Sequence, residues 1–114
     1  MILAALTNLL GISLNNEYNF HMDSVFDALS HPIRREILEM LKGGSRSAGE
    51  LADAFPVSKP TMSGHFAKLK AAGLIHGEQR GASVIYSLNL SVLEEVLLGF
   101  MRRVRLPGKD GDET

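Results

Sequence analysis

A chain of 114 residues is long enough to form one domain with its own hydrophobic core. The chain has no cysteine, which excludes disulfides, thiolate metal sites and a cysteine nucleophile, and which fits a cytoplasmic protein. Its apolar and charged fractions are those of a globular protein, and its net charge of −1 does not favour nucleic acid as a partner.

The first residues form an apolar segment outside the predicted domain. Residues 1–14 contain no lysine or arginine, so they lack the charged start of a secretory signal. They are also too few to span a bilayer as a helix, and we expect no stable membrane association. Because Glu17, Tyr18 and Asn19 follow as a polar break, we interpret residues 1–21 as an N-terminal extension. It either packs on a partner or lies outside the domain.

Two helices are predicted to open a domain that covers residues 22–106. Val25, Phe26 and Leu29 mark a short first helix. The segment Ser30-His31-Pro32 ends it and starts the second helix, because proline is favoured in a first turn. The apolar face of the second helix is formed by Ile33, Ile37, Met40 and Leu41.

The next two helices are short and closely linked. Ser47 and Glu50 have the spacing of a capping box, which predicts a helix that runs to about Phe55. After the link Pro56-Val57-Ser58, a second helix is predicted, with Ser58 as its N-cap and Gly73 as the residue that ends it. Two short helices joined in this way form a helix-turn-helix.

The second of these helices has one apolar face and one that suits nucleic acid. Met62, Phe66 and Leu69 follow the spacing of a buried face, and His65 lies at its border. The remaining surface has small hydroxyls and cations and no carboxylate, so it can approach phosphates and base edges closely. The alternative is an ordinary solvated helix surface. The residues on this surface are Lys59, Thr61, Ser63, Gly64 and Lys68.

A β-hairpin is predicted directly after Gly73. Leu74 and Ile75 begin one strand, residues 79–83 form a turn, and residues 84–88 are β-branched or aromatic. A hairpin in this position is a wing, and Arg80 near its tip is suited to contact a phosphate or the minor groove. The alternative for Arg80 is a surface arginine with no role.

The last predicted helix carries more apolar surface than one small domain needs. Ser91 and Glu94 have the spacing of a second capping box that would open it, and residues 107–114 are predicted to form a disordered acidic tail. Together with the first helix, its apolar stripe is a predicted subunit interface. That interface comprises Val25, Phe26, Leu29, Leu93, Val96, Leu97, Phe100, Met101 and Val104.

Residues 23–104 resemble a winged helix-turn-helix regulator of the ArsR/SmtB type. The resemblance is carried by residues 26–38 and 63–74, by Arg80-Gly81 and by Tyr86-Ser87-Leu88. It implies a mainly α fold with a small β-hairpin, a recognition helix in the major groove, and a homodimer formed through the first and last helices.

The resemblance also implies which residues contact DNA. The implied set is Lys59, Thr61, Ser63, His65 and Lys68 on the helix, and Arg80 in the wing. Gly64 departs from the larger polar side chain that relatives carry there. Glycine offers no side chain to a base but permits close approach of the backbone.

No catalytic residues, cofactor or metal are expected. The four histidines, His21, His31, His65 and His76, include no pair at the i, i+4 spacing of ligands on a helix. Together with the resemblance to the ArsR/SmtB type, this predicts a non-enzymatic, dimeric repressor that binds an inverted repeat in double-stranded DNA. The inducer is not identified, and autoregulation is left open. The alternative is a winged-helix adaptor for another protein, against which the basic residues of the helix and wing argue.

Overall fold

The computed structural model describes the backbone of residues 14–105 and the side chains from His21 onward. The predictions for residues 1–13 and for the acidic tail lie outside the described residues. Between residues 14 and 105, no helix combines the length and apolar character needed to cross a bilayer. The elements in chain order are α1 (Leu14–Leu29), α2 (Pro32–Leu41), β1 (Arg46–Ser47), α3 (Ala48–Asp53), α4 (Lys59–Ala71), β2 (Ile75–Arg80), β3 (Ser83–Leu88) and α5 (Leu90–Val104).

The first helix is longer than the sequence predicts. It begins at Leu14 and passes without interruption through residues 17–19, so the predicted polar break is wrong. No glycine or proline occurs between residues 14 and 29, and the other residue types cost a helix at most about 0.7 kcal/mol each. The helix also crosses the predicted domain boundary at residues 21 and 22, and Met22 and Val25 just beyond that boundary are buried in the core.

Local hydrogen bonds fix the starts of α2 and α3. The Nδ1 atom of His31 accepts a hydrogen bond from the amide of Ile33 at 3.0 Å, which caps α2 ahead of Pro32. At α3 the predicted capping box is confirmed. Ser47 Oγ accepts from the Glu50 amide at 3.1 Å, and Glu50 Oε1 accepts from the Ser47 amide at 2.9 Å.

Both predicted ends of α4 are confirmed. The hydroxyl of Ser58 accepts from the Thr61 amide at 3.2 Å at the start of the helix. At its end Gly73 has φ of +78°, and its amide donates to the carbonyl of Lys70 at 2.9 Å. The Leu74 amide donates to the carbonyl of Leu69 at 3.0 Å, which completes a Schellman motif.

The sheet has a third strand that the sequence analysis did not predict. The hairpin of β2 and β3 is confirmed, in the register Ile75 opposite Leu88, and Gly81 takes φ of +61° in its two-residue turn. On the other side of β3 lies β1, which gives the order β1-β3-β2. β1 is only two residues long, too short to show alternating hydrophobicity.

The core is built by residues from every helix and from the hairpin. Phe66 of α4 packs on Tyr86 of β3 with ring centroids 4.9 Å apart. The Tyr86 ring lies across Gly77, where an added Cβ would come within 2.9 Å of it. The largest fully buried side chains are Val25, Ile37, Leu51, Met62, Leu69, Leu74 and Val96.

The second predicted capping box, at Ser91 and Glu94, is wrong. The N-cap of α5 is Asn89, two residues earlier, and its side chain accepts no capping hydrogen bond from the helix. The hydroxyl of Ser91 instead donates to Asn89 Oδ1 at 2.9 Å. The spacing alone therefore placed the start of the last helix slightly too late.

The positive φ of Gly73 predicts a stability difference between two glycine variants. Gly73→Ala should lower the free energy of unfolding by about 1–2 kcal/mol, because an L residue is strained in the left-handed region. Gly43→Ala is the matched control, since Gly43 has no positive φ and an added Cβ would meet nothing within 4 Å. Urea denaturation of both variants measures the difference, and equal stabilities would contradict the assigned role of Gly73.

Candidate nucleic-acid interface

Helix α4 presents one face to the core and one to solvent. Met62, Phe66 and Leu69 are buried, as predicted, and the helix packs against α1, α2 and β2. All but one of the residues predicted to contact DNA are exposed. They are Lys59, Thr61, Ser63, Gly64 and Lys68 on α4, and Arg80 at the end of β2. Because α4 contains no carboxylate, no acidic side chain of the helix itself opposes a phosphate there.

A buried arginine holds α4 against the first two helices. Arg34 of α2 is only 8% exposed. Its Nε donates to the carbonyl of Ala28 at 2.8 Å, and its Nη2 donates to the carbonyl of Asp27 at 3.1 Å. Its Nη1 lies 3.1 Å from Nδ1 of His65 on α4. The guanidinium therefore joins the C-terminal turn of α1 to α4.

The expectation that His65 contacts DNA is wrong. The residue is only 8% exposed, and its ring lies against that of His31 with centroids 4.4 Å apart. Arginine can only donate hydrogen bonds, so Nδ1 of His65 is the acceptor and its proton sits on Nε2. Burial, followed by the charges of His31 and Arg34, lowers the pKa of His65, which favours this neutral form.

The group that Arg34, His31 and His65 form was not identified from the sequence. Arg34 lies beside Arg35, outside the predicted apolar face of α2, where a solvated arginine is the default. Its burial depends on how α1 and α4 pack, which spacing within α2 does not reveal. The only local signal was the placement of His65 at the border of the apolar face of α4.

Two of the predicted phosphate-binding cations form ion pairs. Nζ of Lys68 lies 2.7 Å from Oδ2 of Asp27, and both side chains are about half exposed. The hydrogen bond from Lys68 and its charge lower the pKa of Asp27, so that the carboxyl is ionised near neutrality. In the wing, Nη2 of Arg80 lies 3.2 Å from Oε1 of Glu78.

Gly64 has no packing role among the residues that the structure describes. A Cβ built on it would meet no heavy atom within 4 Å, and its φ is not positive. Neither steric crowding nor backbone conformation therefore requires glycine at this exposed position of α4.

The predicted interface residues fall into three groups. Leu97, Phe100, Met101 and Val104 of α5 are exposed by 38% to 59%. Phe26, Leu29 and Leu93 are partly buried, and Phe26 meets Phe100 edge to face at 5.4 Å. Val25 and Val96 are at most 1% exposed inside the chain's own core, so their assignment to the interface is wrong.

Two exposed leucines extend the apolar face beyond the predicted set. Leu90 is 48% exposed and Leu98 is 53% exposed. Leu90 lies two turns before Leu97, and that i, i+7 spacing was a signal in the sequence that the predicted stripe did not use. Between His21 and Arg105, no three histidine or acidic side chains are placed to hold a metal ion.

Comparison with known proteins relates this architecture to transcriptional regulators. A family profile described as a helix-turn-helix domain matches residues 29–78. The chain is 46% identical to the transcriptional repressor SdpR of Bacillus subtilis over 74 residues, which span 65% of this chain and 82% of the repressor.

Solved structures show the same fold. An ArsR-like transcriptional regulator from Rhodococcus sp. RHA1 superposes with a TM-score of 0.68 at 30% identity, covering 83% of this chain and 86% of that one. A homodimeric winged helix-turn-helix DNA-binding domain from Mycobacterium bovis superposes with a TM-score of 0.63 at 24% identity, covering 82% and 88% of the two chains.

The lowered pKa of His65 predicts that acid weakens the fold. The stability that neutral His65 provides is fully present above its unfolded pKa, near 6.5, and is lost as pH falls toward the lower folded pKa. The free energy of unfolding should therefore decrease from about pH 7 to about pH 5, a range in which His, but few other side chains, titrates.

His65→Asn is the matched variant for this measurement. Its side-chain oxygen can still accept from Arg34, but it does not titrate, so its stability should depend less on pH than that of the wild type. Urea denaturation at several pH values gives both slopes, and identical slopes would show that His65 does not contribute.

Proposed function

Because this chain belongs to the ArsR/SmtB family of winged helix-turn-helix transcriptional regulators, we propose that it acts in the cytoplasm as a dimeric repressor that binds an inverted repeat in double-stranded DNA. The observation that carries the proposal is the exposed, carboxylate-free face of α4. Residues 22–106 form the proposed DNA-binding and dimerisation domain. The proposal includes no enzymatic activity, cofactor or metal.

The exposed residues of α4 divide by the part of DNA that suits them. Lys59 and Lys68 carry positive charges that attract phosphates, and Arg80 would do the same from the wing. Thr61 and Ser63 offer hydroxyls that can donate to and accept from base edges in the major groove. These groups favour DNA binding over the alternative of a protein adaptor, which would not need cations and hydroxyls on the exposed face of α4.

The exposed apolar face of α5 supports a homodimer. Leu97, Met101 and Val104 lie on successive turns, with Leu90 two turns before Leu97, and all are exposed in the single chain. A two-fold axis would let two such faces cover each other. Pairing would also place two α4 helices on one assembly. Each helix would contact one half-site, and two half-sites about one turn of B-DNA apart, related by the same two-fold axis, form an inverted repeat. The Mycobacterium bovis domain with this fold is homodimeric.

Lysine variants test the DNA contact. Lys59→Ala should weaken binding to all duplexes alike and reduce the slope of log affinity against log salt by about 1, as loss of one phosphate contact would. Lys42→Ala is the control, because Lys42 lies beside Ser87 and Leu88, at the end of β3 remote from the wing turn. Fluorescence anisotropy with DNA from upstream of the protein's own gene, across a salt titration, gives both slopes.

Wild-type protein that binds this DNA and random duplexes without salt dependence would contradict the proposal. So would equal losses of affinity in the Lys59 and Lys42 variants, because the two lysines differ in position and not in charge.

A charged residue in the apolar face tests the dimer. Leu97→Glu should give a folded monomer, because pairing would then bury an unpaired carboxylate, and operator affinity should fall with dimerisation. Ser91→Glu is the control, since it adds the same charge at an exposed position in the first turn of α5, where a carboxylate is favourable. Sedimentation and DNA binding on the same samples decide the outcome. A folded Leu97→Glu monomer with wild-type operator affinity would overturn the dimeric architecture.

A further inference from the structure

Two cations of the proposed DNA surface are paired with carboxylates within the chain. Asp27, which pairs with Lys68, comes from the last turn of α1 and lies 41 residues away in sequence. Glu78 lies two residues before Arg80, so both side chains point to the same face of β2. The two pairs thus form independently, one through tertiary packing and one through strand geometry.

Stability does not account for these pairs. The four side chains are 53% to 66% exposed, and ion pairs as exposed as this typically contribute little to folding. The position of Asp27 is nevertheless fixed. Its main-chain carbonyl accepts hydrogen bonds from Nη2 of Arg34 at 3.1 Å and from Oγ of Ser30 at 2.6 Å. The backbone therefore holds this carboxylate beside α4.

A phosphate that binds Lys68 or Arg80 has to replace these carboxylates. Each displaced carboxylate then stays close to the negative charge of DNA, where like charges repel. This penalty applies to every duplex, whatever its sequence. Binding to arbitrary DNA depends almost wholly on phosphate contacts, so it becomes weak when the penalty is subtracted. A site that adds base contacts is still bound tightly.

We propose that Asp27 and Glu78 mask Lys68 and Arg80 and so weaken binding to DNA of every sequence, which leaves only a site with additional base contacts tightly bound. The inference rests on the proposed function. It concerns two acidic residues that do not themselves attract DNA, and it assigns them a role in limiting how tightly the protein holds arbitrary DNA.

Charge-neutral variants test the masking. Asp27→Asn and Glu78→Gln keep the size of each side chain and remove its charge. Each should bind a duplex of random sequence about 3- to 10-fold more tightly than wild type, with a salt slope steeper by up to about 1, since one more cation is available to phosphate. Operator affinity should rise by a similar factor, because the penalty does not depend on sequence.

Glu95→Gln is the matched control. Glu95 is exposed on α5, outside the proposed DNA surface, and its replacement changes the net charge by the same amount. If Glu95→Gln strengthens binding to random DNA as much as the two test variants do, the effect is one of net charge and the masking is overturned. Thermal unfolding of each variant checks that the fold is retained.

A double-mutant cycle assigns the effect of Asp27 to Lys68. In the Lys68→Ala background, Asp27→Asn should have a much smaller effect on affinity for random DNA, because the masked cation is absent. An undiminished effect would show that Asp27 repels DNA directly, and a decrease in affinity with Asp27→Asn would show that the carboxylate orients Lys68 for binding. Either result overturns the inference.

These outcomes separate the inference from the proposed function. If wild-type protein binds DNA with a salt-dependent affinity and the variants behave like Glu95→Gln, DNA binding stands and only the masking fails. If wild-type protein binds no duplex even at low salt, both fail together.

Discussion

A single buried guanidinium joins the three helices on which the proposed DNA surface depends. A charge removed from water has to be compensated by well-placed hydrogen-bond partners. Arg34 finds them in the carbonyls of Asp27 and Ala28, at the C-terminal end of α1, where the helix dipole is negative. Its third partner is the ring nitrogen of His65, which orients α4 against the pair α1–α2.

The contacts of Arg34 with α1 and with His65 explain which residues of α4 face solvent. His65 and Phe66 both point inward, so Ser63 and Gly64 on the opposite side are exposed. The same contacts hold the end of α1 next to α4, which brings the Asp27 carboxylate to Lys68. The orientation of α4 and the pairing of one of its cations thus follow from one set of hydrogen bonds.

Helix starts and ends fixed by local hydrogen bonds were predictable from the sequence, whereas specific contacts between residues far apart in the chain were not. The capping residues Ser47, Ser58 and Gly73 act on their nearest neighbours, so their spacing identifies α3 and α4. The position of His65 depends on a partner 31 residues away, and spacing within α4 places it only at a border. β1 likewise exists because β3 lies beside it, and nothing within its two residues indicates a strand.

Gly64 is a glycine inside a helix for which the described residues offer no structural reason. Glycine inside a helix costs about 1 kcal/mol relative to alanine. Two other glycines have a structural reason for lacking a side chain. Gly73 has a positive φ, and the ring of Tyr86 lies across Gly77. Gly64 has neither, since a Cβ there would enter open space. The proposed DNA binding offers a reason for glycine at this position, because a base edge in the major groove can approach closely a backbone that carries no Cβ.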